Sequence, residues 1–409
     1  MTDSFDIAVI GAGAAGLAAA ARLAREPLAV ALLEARDRVG GRAHTIEVMG
    51  LPLDAGCEWL HSADHNPLVP LIAAAGFTVD RSRAHWQRRS DRLGISAADA
   101  EAFGHAWARL DARLEAAAAT GADAPASDFL EPGGRWNGLL NAGSGWYNGA
   151  AWDEVSVLDY GAYLDSGKNW RVREGYGAAI AALGGPVIQT LGCVVEVIDH
   201  GGEGVRLTTS KGTLSARAVI VCAPSNVLAR EAIRFSPGLP SKVEAAAGLP
   251  LGYANKAWLA TSDPEGLPAE GHCFGRTDRA ATAGYFLRPF GRPCVEAYFG
   301  GDLARDLEGA GPGALTAFAI AELTGVLGAE VGRSLSSLFE TTWAGDPFSL
   351  GAYSHALPGR AGERAVLAAP VDGRLFFAGE ATHPTYFSTA HGAWESGVRA
   401  AEEAIAALA

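Results

Sequence analysis

Wholly apolar runs recur at the start, middle and end of the chain. Ile7-Ala8-Val9-Ile10, Ala218-Val219-Ile220-Val221-Cys222-Ala223 and Leu375-Phe376-Phe377-Ala378 are each followed at once by glycine or proline. Short runs without polar alternation predict strands buried on both faces, as in a parallel sheet. After the first run, Gly11-Ala12-Gly13-Ala14-Ala15-Gly16 leads into an alanine-rich helix over residues 17–25. A second strand over 28–33 then ends at Glu34. Further along, 97–119 predicts an amphipathic helix with Phe103, Ala106, Leu110 and Leu114 on one face. Another is predicted over 314–327 with Leu315, Phe318, Leu323 and Val326 as its stripe. Residues 127–149, rich in Gly, Asn and Trp, read as loop. Short strands with glycine-rich turns are predicted over 194–197, 205–209 and 213–216. A closing helix is predicted from about Thr389, a good N-cap residue.

Parallel-sheet strands in three separate places imply one domain assembled from three segments with a second domain inserted. The expected architecture is α/β: a Rossmann-type nucleotide-binding domain from 1–80, 171–248 and 336–409, and an inserted α+β substrate domain from 81–170 and 249–335. A chain of 409 residues exceeds a single core, so two domains fit its length as well.

Composition narrows the partners. Thirty-three basic residues against 46 acidic give a net charge of −13, which argues against nucleic acid and favours cationic ligands by long-range steering. The five cysteines are odd in number and form no C-x-x-C. That pattern fits a reducing cytoplasm and no disulfide framework. The N-terminus lacks a basic region ahead of its first strand, so no export signal is expected. No apolar stretch near it reaches the ~20 residues of a membrane span, and no membrane association is expected. His61-x3-His65 has metal-like spacing but lies beside Asn66-Pro67. No metal is expected.

The glycines of the first turn have distinct expected roles. Gly11 permits the tight turn, Gly13 lets a pyrophosphate approach the backbone, and Gly16 lets helix and strand pack closely. The helix N-terminus at Ala14 and Ala15 then faces the phosphates with free N–H groups. Glu34 is placed to accept hydrogen bonds from a ribose diol. Gly40-Gly41-Arg42 suits a loop round a second phosphate, with Arg42 as counter-charge.

With Leu33-Glu34-Ala35-Arg36-Asp37-Arg38-Val39-Gly40-Gly41-Arg42 in view, the chain resembles the flavin-containing amine oxidase superfamily, whose first motif reads L-E-A-x-x-R-x-G-G-R. Four further blocks agree in order. Leu53-Asp54-Ala55-Gly56-Cys57-Glu58-Trp59-Leu60-His61 is similar to the segment lying against the flavin. Its Trp-x-His form, with Asn66-Pro67, is closest to the polyamine oxidase branch. Asn255-Lys256 resembles the segment carrying the active-site lysine, and Trp343 to Ser354 the W…G-S-Y-S block. Phe377-Ala378-Gly379-Glu380 and Tyr386-Phe387-Ser388-Thr389-Ala390-His391-Gly392 match the C-terminal flavin signature.

The resemblance implies non-covalent FAD, since no cysteine follows Cys294. It implies a cofactor site of Gly11, Gly13, Ala14, Ala15, Gly16, Glu34, Ala35 and Arg36, then Gly40, Gly41 and Arg42. Glu58, Trp59, Val194, Trp343, Gly379, Glu380, Thr389 and Ala390 complete it. A helix N-terminus at Thr389 and Ala390 would stabilise negative charge on reduced flavin. The implied catalytic residues are Lys256, holding a water near flavin N5, with Trp343, Tyr353, Tyr386 and His61. Tyr353 and Tyr386 read either as aromatic walls for an amine or as core. His61 either faces the site or does not; Lys256, by pattern alone, reads as an edge lysine. Glu58 either attracts a distal ammonium or is a carboxylate bound to backbone. His391 reads as structural.

The activity implied is oxidation of a small-molecule polyamine or monoamine, with O2 reduced to hydrogen peroxide. The alternatives are an L-amino acid oxidase or desaturase on the same scaffold, and a flavin-bearing binding protein with little turnover. An amino acid oxidase needs a cation for the α-carboxylate, and the pattern places no arginine for it.

Overall fold

A computed structural model describes residues 3–88 and 92–409. One sheet gathers strands from both ends and the middle of the chain. Asp3–Ile10 pairs in parallel with Val30–Leu33 on one side and with Gly212–Val221 on the other. Ile188–Thr190 extends it beyond Val30–Leu33. Leu375–Phe377 joins in parallel to the C-terminal end of Gly212–Val221. Val205–Thr209, Val195–Asp199 and Arg234–Ser236 continue the sheet.

The alternation of side chains explains why the strand sequences are apolar throughout. Ile7, Val9, Leu32, Ala218 and Ile220 face one hydrophobic core; Ala8, Ile10, Leu33, Val219 and Val221 face another. The helices Ala14–Leu23 and Ala390–Leu408 cover the first face side by side. Gly397 allows that approach: a Cβ there would lie 2.0 Å from the Ala15 carbonyl oxygen. The two ends of the chain are thereby packed into one domain.

The second sheet runs Leu335–Glu340, Ala254–Thr261, Cys294–Gly300, Gly284–Leu287, Gly271–Phe274 and Arg92–Leu93. Ala257, Leu259, Cys273, Tyr285, Leu287, Val295, Ala297 and Phe299 project from one face into a core shared with the helix Ala314–Leu327. The boundary expected at 335/336 cuts through Leu335–Glu340, which pairs within this sheet.

Two local readings are corrected. Within 127–149, residues Asn137–Asn148 form a helix rather than loop. Its glycines serve close packing: a Cβ at Gly143 would lie 2.3 Å from the Trp107 ring, and one at Gly145 2.8 Å from the Gly300 backbone. The strand expected over 213–216 and the start of the one expected over 218–223 form one strand, Gly212–Val221. No described helix is long and apolar enough to cross a membrane.

Candidate functional site

A cavity of about 1230 Å³ runs from the first βα turn to the second sheet. Its phosphate end is built by the turn. Gly11 has φ +94°, a conformation favouring glycine. A Cβ on Gly13 would meet nothing nearer than 3.9 Å, so the free space above it belongs to the cavity. Gly16 differs: its Cβ would lie 1.8 Å from the Gly11 carbonyl oxygen. It is the packing residue expected of it, but it does not line the cavity, which corrects its place in the cofactor site. Ala14 and Ala15, first in the helix Ala14–Leu23, do line it. Their N–H groups have no intrahelical acceptor, which suits a pyrophosphate.

Glu34 is buried at the end of its strand. It accepts from the Ala12 and Arg36 N–H groups at 2.6 and 3.0 Å. Each carboxylate oxygen keeps a lone pair, so a ribose hydroxyl fits here. Ala35, Arg36 and Val194 share this end of the wall. Arg36 is tied to Asp346 at 2.7 Å and Ser349 at 2.8 Å. Gly40 and Gly41, both at positive φ, bring their loop against Gly13. Arg42 donates to Glu380 at 2.9 Å and to the Ala352 carbonyl at 2.6 Å. It is therefore an ion-paired residue of the wall rather than an isolated counter-charge. Burial alone would push the Glu380 carboxyl up; Arg42, Ser354 and Arg364 more than offset this and hold it ionised. This cradle of open glycine, free helix N–H groups and terminal acid fits FAD.

Gly379, Glu380, Thr389 and Ala390 line the next stretch. Thr389 caps the closing helix, accepting from Gly392 N–H at 3.0 Å, which turns the helix N-terminus toward the cavity. Trp343 and Trp59 also line it, the Trp343 indole donating to the Ala55 carbonyl at 3.1 Å.

Lys256 is not an edge lysine. Ala254–Thr261 pairs on both sides, with Cys294–Gly300 and Leu335–Glu340. The Lys256 ammonium is buried between two carboxylates, 2.8 Å from Glu58 and 3.1 Å from Glu296. All three line the cavity. Burial would lower the Lys256 pKa, but Glu296 and Glu58 raise it above the ordinary value. Burial would also raise Glu58, yet Lys256 holds it well below the carboxylate range. Glu296, buried and facing Glu58, is pushed well above that range. Glu58 is thus the lysine's partner, a role not among those expected of it.

Tyr353 lines the cavity, its hydroxyl 2.9 Å from that of Tyr298 and 2.7 Å from the Trp146 carbonyl. Tyr386 does not line it and is corrected: its ring lies 4.8 Å from the buried His391, and the next residue, Phe387, reaches the wall. His61 lines the cavity, held by Asn169 at 2.6 Å. Burial lowers its pKa and keeps it neutral. No group of three His, Cys, Asp or Glu suited to a metal occurs among the described residues.

The far end is one face of the second sheet. Lys256 lies opposite Tyr298 and Tyr298 opposite Gly284; Glu296 lies opposite Phe286, and Phe286 opposite His272. All line the cavity, with Trp86, Phe103 and Trp107 over them. Asp111, Glu115 and Asp165 add carboxyls to the wall. None of this floor except Lys256 was singled out from the sequence. Its signal was period-2 alternation in Cys294–Gly300 and an isolated glutamate within that apolar run.

A family model for flavin containing amine oxidoreductases matches residues 14–405. Polyamine oxidase 3 of Oryza sativa subsp. japonica is 33% identical, aligning 97% of this chain with 88% of that protein. Probable polyamine oxidase 4 of Arabidopsis thaliana is 30% identical, over 97% of this chain and 86% of its own length. A solved structure of putrescine oxidase, wild type bound to putrescine, superposes with a TM-score of 0.79. It covers 99% of this chain and 100% of that one at 21% identity, a likeness of fold.

Proposed function

Because the chain belongs to the flavin containing amine oxidoreductase family, on its polyamine oxidase branch, we propose that it is an oxidase of polyamines or monoamines releasing hydrogen peroxide. It is an amine oxidase using FAD. The substrate proposal is supported by the continuity of one cavity from the Gly13 cradle to Lys256, Tyr298 and Tyr353. Cofactor and substrate can share it.

FAD, when bound, supplies the two-electron acceptor for the C–H bond beside the amine nitrogen and passes the electrons to O2. The chain's own residues do the rest. Trp59, Tyr298, Tyr353 and Phe387 wall the cavity with aromatic faces that favour an amine cation before its proton is lost. The Tyr298–Tyr353–Trp146 hydrogen bonds fix that wall. The Lys256 ammonium, fixed by its carboxylates, is placed to hold the water that hydrolyses the imine product.

An α-carboxylate would need a cation. Arg36 and Arg42 are committed to Asp346 and Glu380. Arg92, also on the wall, donates to the Arg88 and Trp86 carbonyls. An amine without a carboxylate is the better fit. Peroxide release with putrescine, spermidine, spermine, benzylamine and an L-amino acid panel tests the proposal. Release with a di- or polyamine or a monoamine supports it; release with amino acids alone contradicts it.

A further inference from the structure

Two carboxylates surround one ammonium at Lys256, and that imbalance has a consequence. Trp258 lies opposite Glu296 on one neighbouring strand and Phe286 on the other, so those positions offer Glu296 no charge. Tyr298 and Cys294 flank it on its own strand, both with pKa raised by burial. The charged groups facing it are Lys256 and Glu58, with Arg171 acting on Glu58, and Asp54 on Glu58 and Lys256, from beyond. The Glu58 and Glu296 carboxyls both reach the one Lys256 ammonium, at 2.8 and 3.1 Å, which brings the two acids against one another. Such contact is repulsive unless one carries a proton. Glu296 Oε2 is buried with no donor to meet it, an orphan that a proton on this oxygen resolves. With a proton on Glu296 the trio is neutral: Lys256 positive, Glu58 negative, Glu296 a carboxylic acid.

We infer that Glu296 is the proton acceptor of the amine site, exchanging its proton when a cation enters the cavity. An arriving ammonium meets a neutral trio, and its field favours ionised Glu296, so one proton leaves to solvent. In the chemical step one N–H bond of the substrate ammonium breaks and one O–H bond forms on Glu296. No electrons move, and the amine is left with the lone pair that oxidation requires. Glu58 and Lys256 are positioning residues that hold the carboxyl at the cavity wall. The chemical half of this assignment rests on the oxidase reading; the binding half does not.

The test uses holoenzyme and a cation that cannot lose a proton, n-butyltrimethylammonium. Calorimetry at neutral pH in buffers of differing ionisation enthalpy counts protons per probe bound. Wild type is expected to release about one proton, and Glu296→Gln, whose amide mimics the neutral acid, none. Wild-type binding without proton release, failure to bind, or equal release by Glu296→Gln overturns the inference. Should Glu296→Gln not fold, the wild-type count alone decides. For the chemical step, anaerobic flavin reduction by a primary amine is followed against pH. Wild type is expected to level off below the amine's own pKa of about 10. Glu296→Gln should keep rising to it, with Glu296→Asp restoring the plateau; superimposable profiles overturn the step. If no amine reduces wild-type flavin, the oxidase reading and the chemical step both fall, and the proton count judges the binding site.

Discussion

Replacing Lys256 by Met should destabilise the protein in a way that grows with pH. Met keeps the length and apolar stem, so packing is nearly conserved. What disappears is an ammonium 2.8 Å from Glu58 and 3.1 Å from Glu296, all three buried. With the proton inferred on Glu296, Glu58 is left as a buried charge without its nearest cation, facing only the more distant Arg171. Removing one partner of a buried ion pair costs about 3–5 kcal/mol. The sign of the pH effect follows from linkage. In the wild type Glu58 is held below its ordinary value. Its contribution is present above about pH 4.3 and lost as pH falls through the depressed value. In Lys256→Met, with the nearest cation gone, burial is expected to raise the same carboxyl. Its contribution is then complete below about pH 4.3 and lost as pH rises through the raised value. The gap between the proteins should therefore widen from mild acid to mild base, reaching about 3–5 kcal/mol near pH 8. Urea unfolding followed by tryptophan fluorescence near pH 5 and near pH 8 measures it. A gap that does not change with pH, or one under about 1 kcal/mol near pH 8, would refute the buried-trio reasoning.

Gly16→Ala should cost roughly 1–3 kcal/mol of stability, because its Cβ would sit 1.8 Å from the Gly11 carbonyl oxygen. Gly13→Val should fold normally but purify colourless, since its side chain enters the cavity; a fully yellow Gly13→Val protein would contradict the cradle. Arg364, buried against Asp159 at 2.6 Å and stacked 3.7 Å from the Phe387 ring, ties three chain segments together. Arg364→Ala should lower stability by about 3–5 kcal/mol in denaturant titrations, and a loss below about 1 kcal/mol would count against it. Acid precipitation should release FAD to the supernatant, whereas yellow colour in the pellet would show a covalent link.

The nucleotide half of the molecule was legible because its signals are local. Ile7–Ile10, the spaced glycines and Glu34 lie within one βαβ unit, and each residue's role follows from its neighbours in sequence. The helix Asn137–Asn148 was not legible. Gly143 and Gly145 weaken its propensity, and only Trp107 and Gly300 explain them. Glu296 was overlooked for a similar reason. Its meaning depends on the register of Cys294–Gly300 against Ala254–Thr261 and on Glu58 arriving from a distant segment. Tyr386 was misassigned by one position: the turn into the closing helix sends Phe387 to the cavity and Tyr386 toward His391.

Anaerobic mixing of the holoenzyme with putrescine, spermidine, spermine and simple monoamines, watching the flavin absorbance, tests the central claim most directly. The account predicts that at least one of these amines bleaches the flavin, and that admitting O2 restores the colour with one hydrogen peroxide per flavin. Flavin that stays oxidised with every amine, while bleaching with an amino acid or another hydride donor, would contradict it.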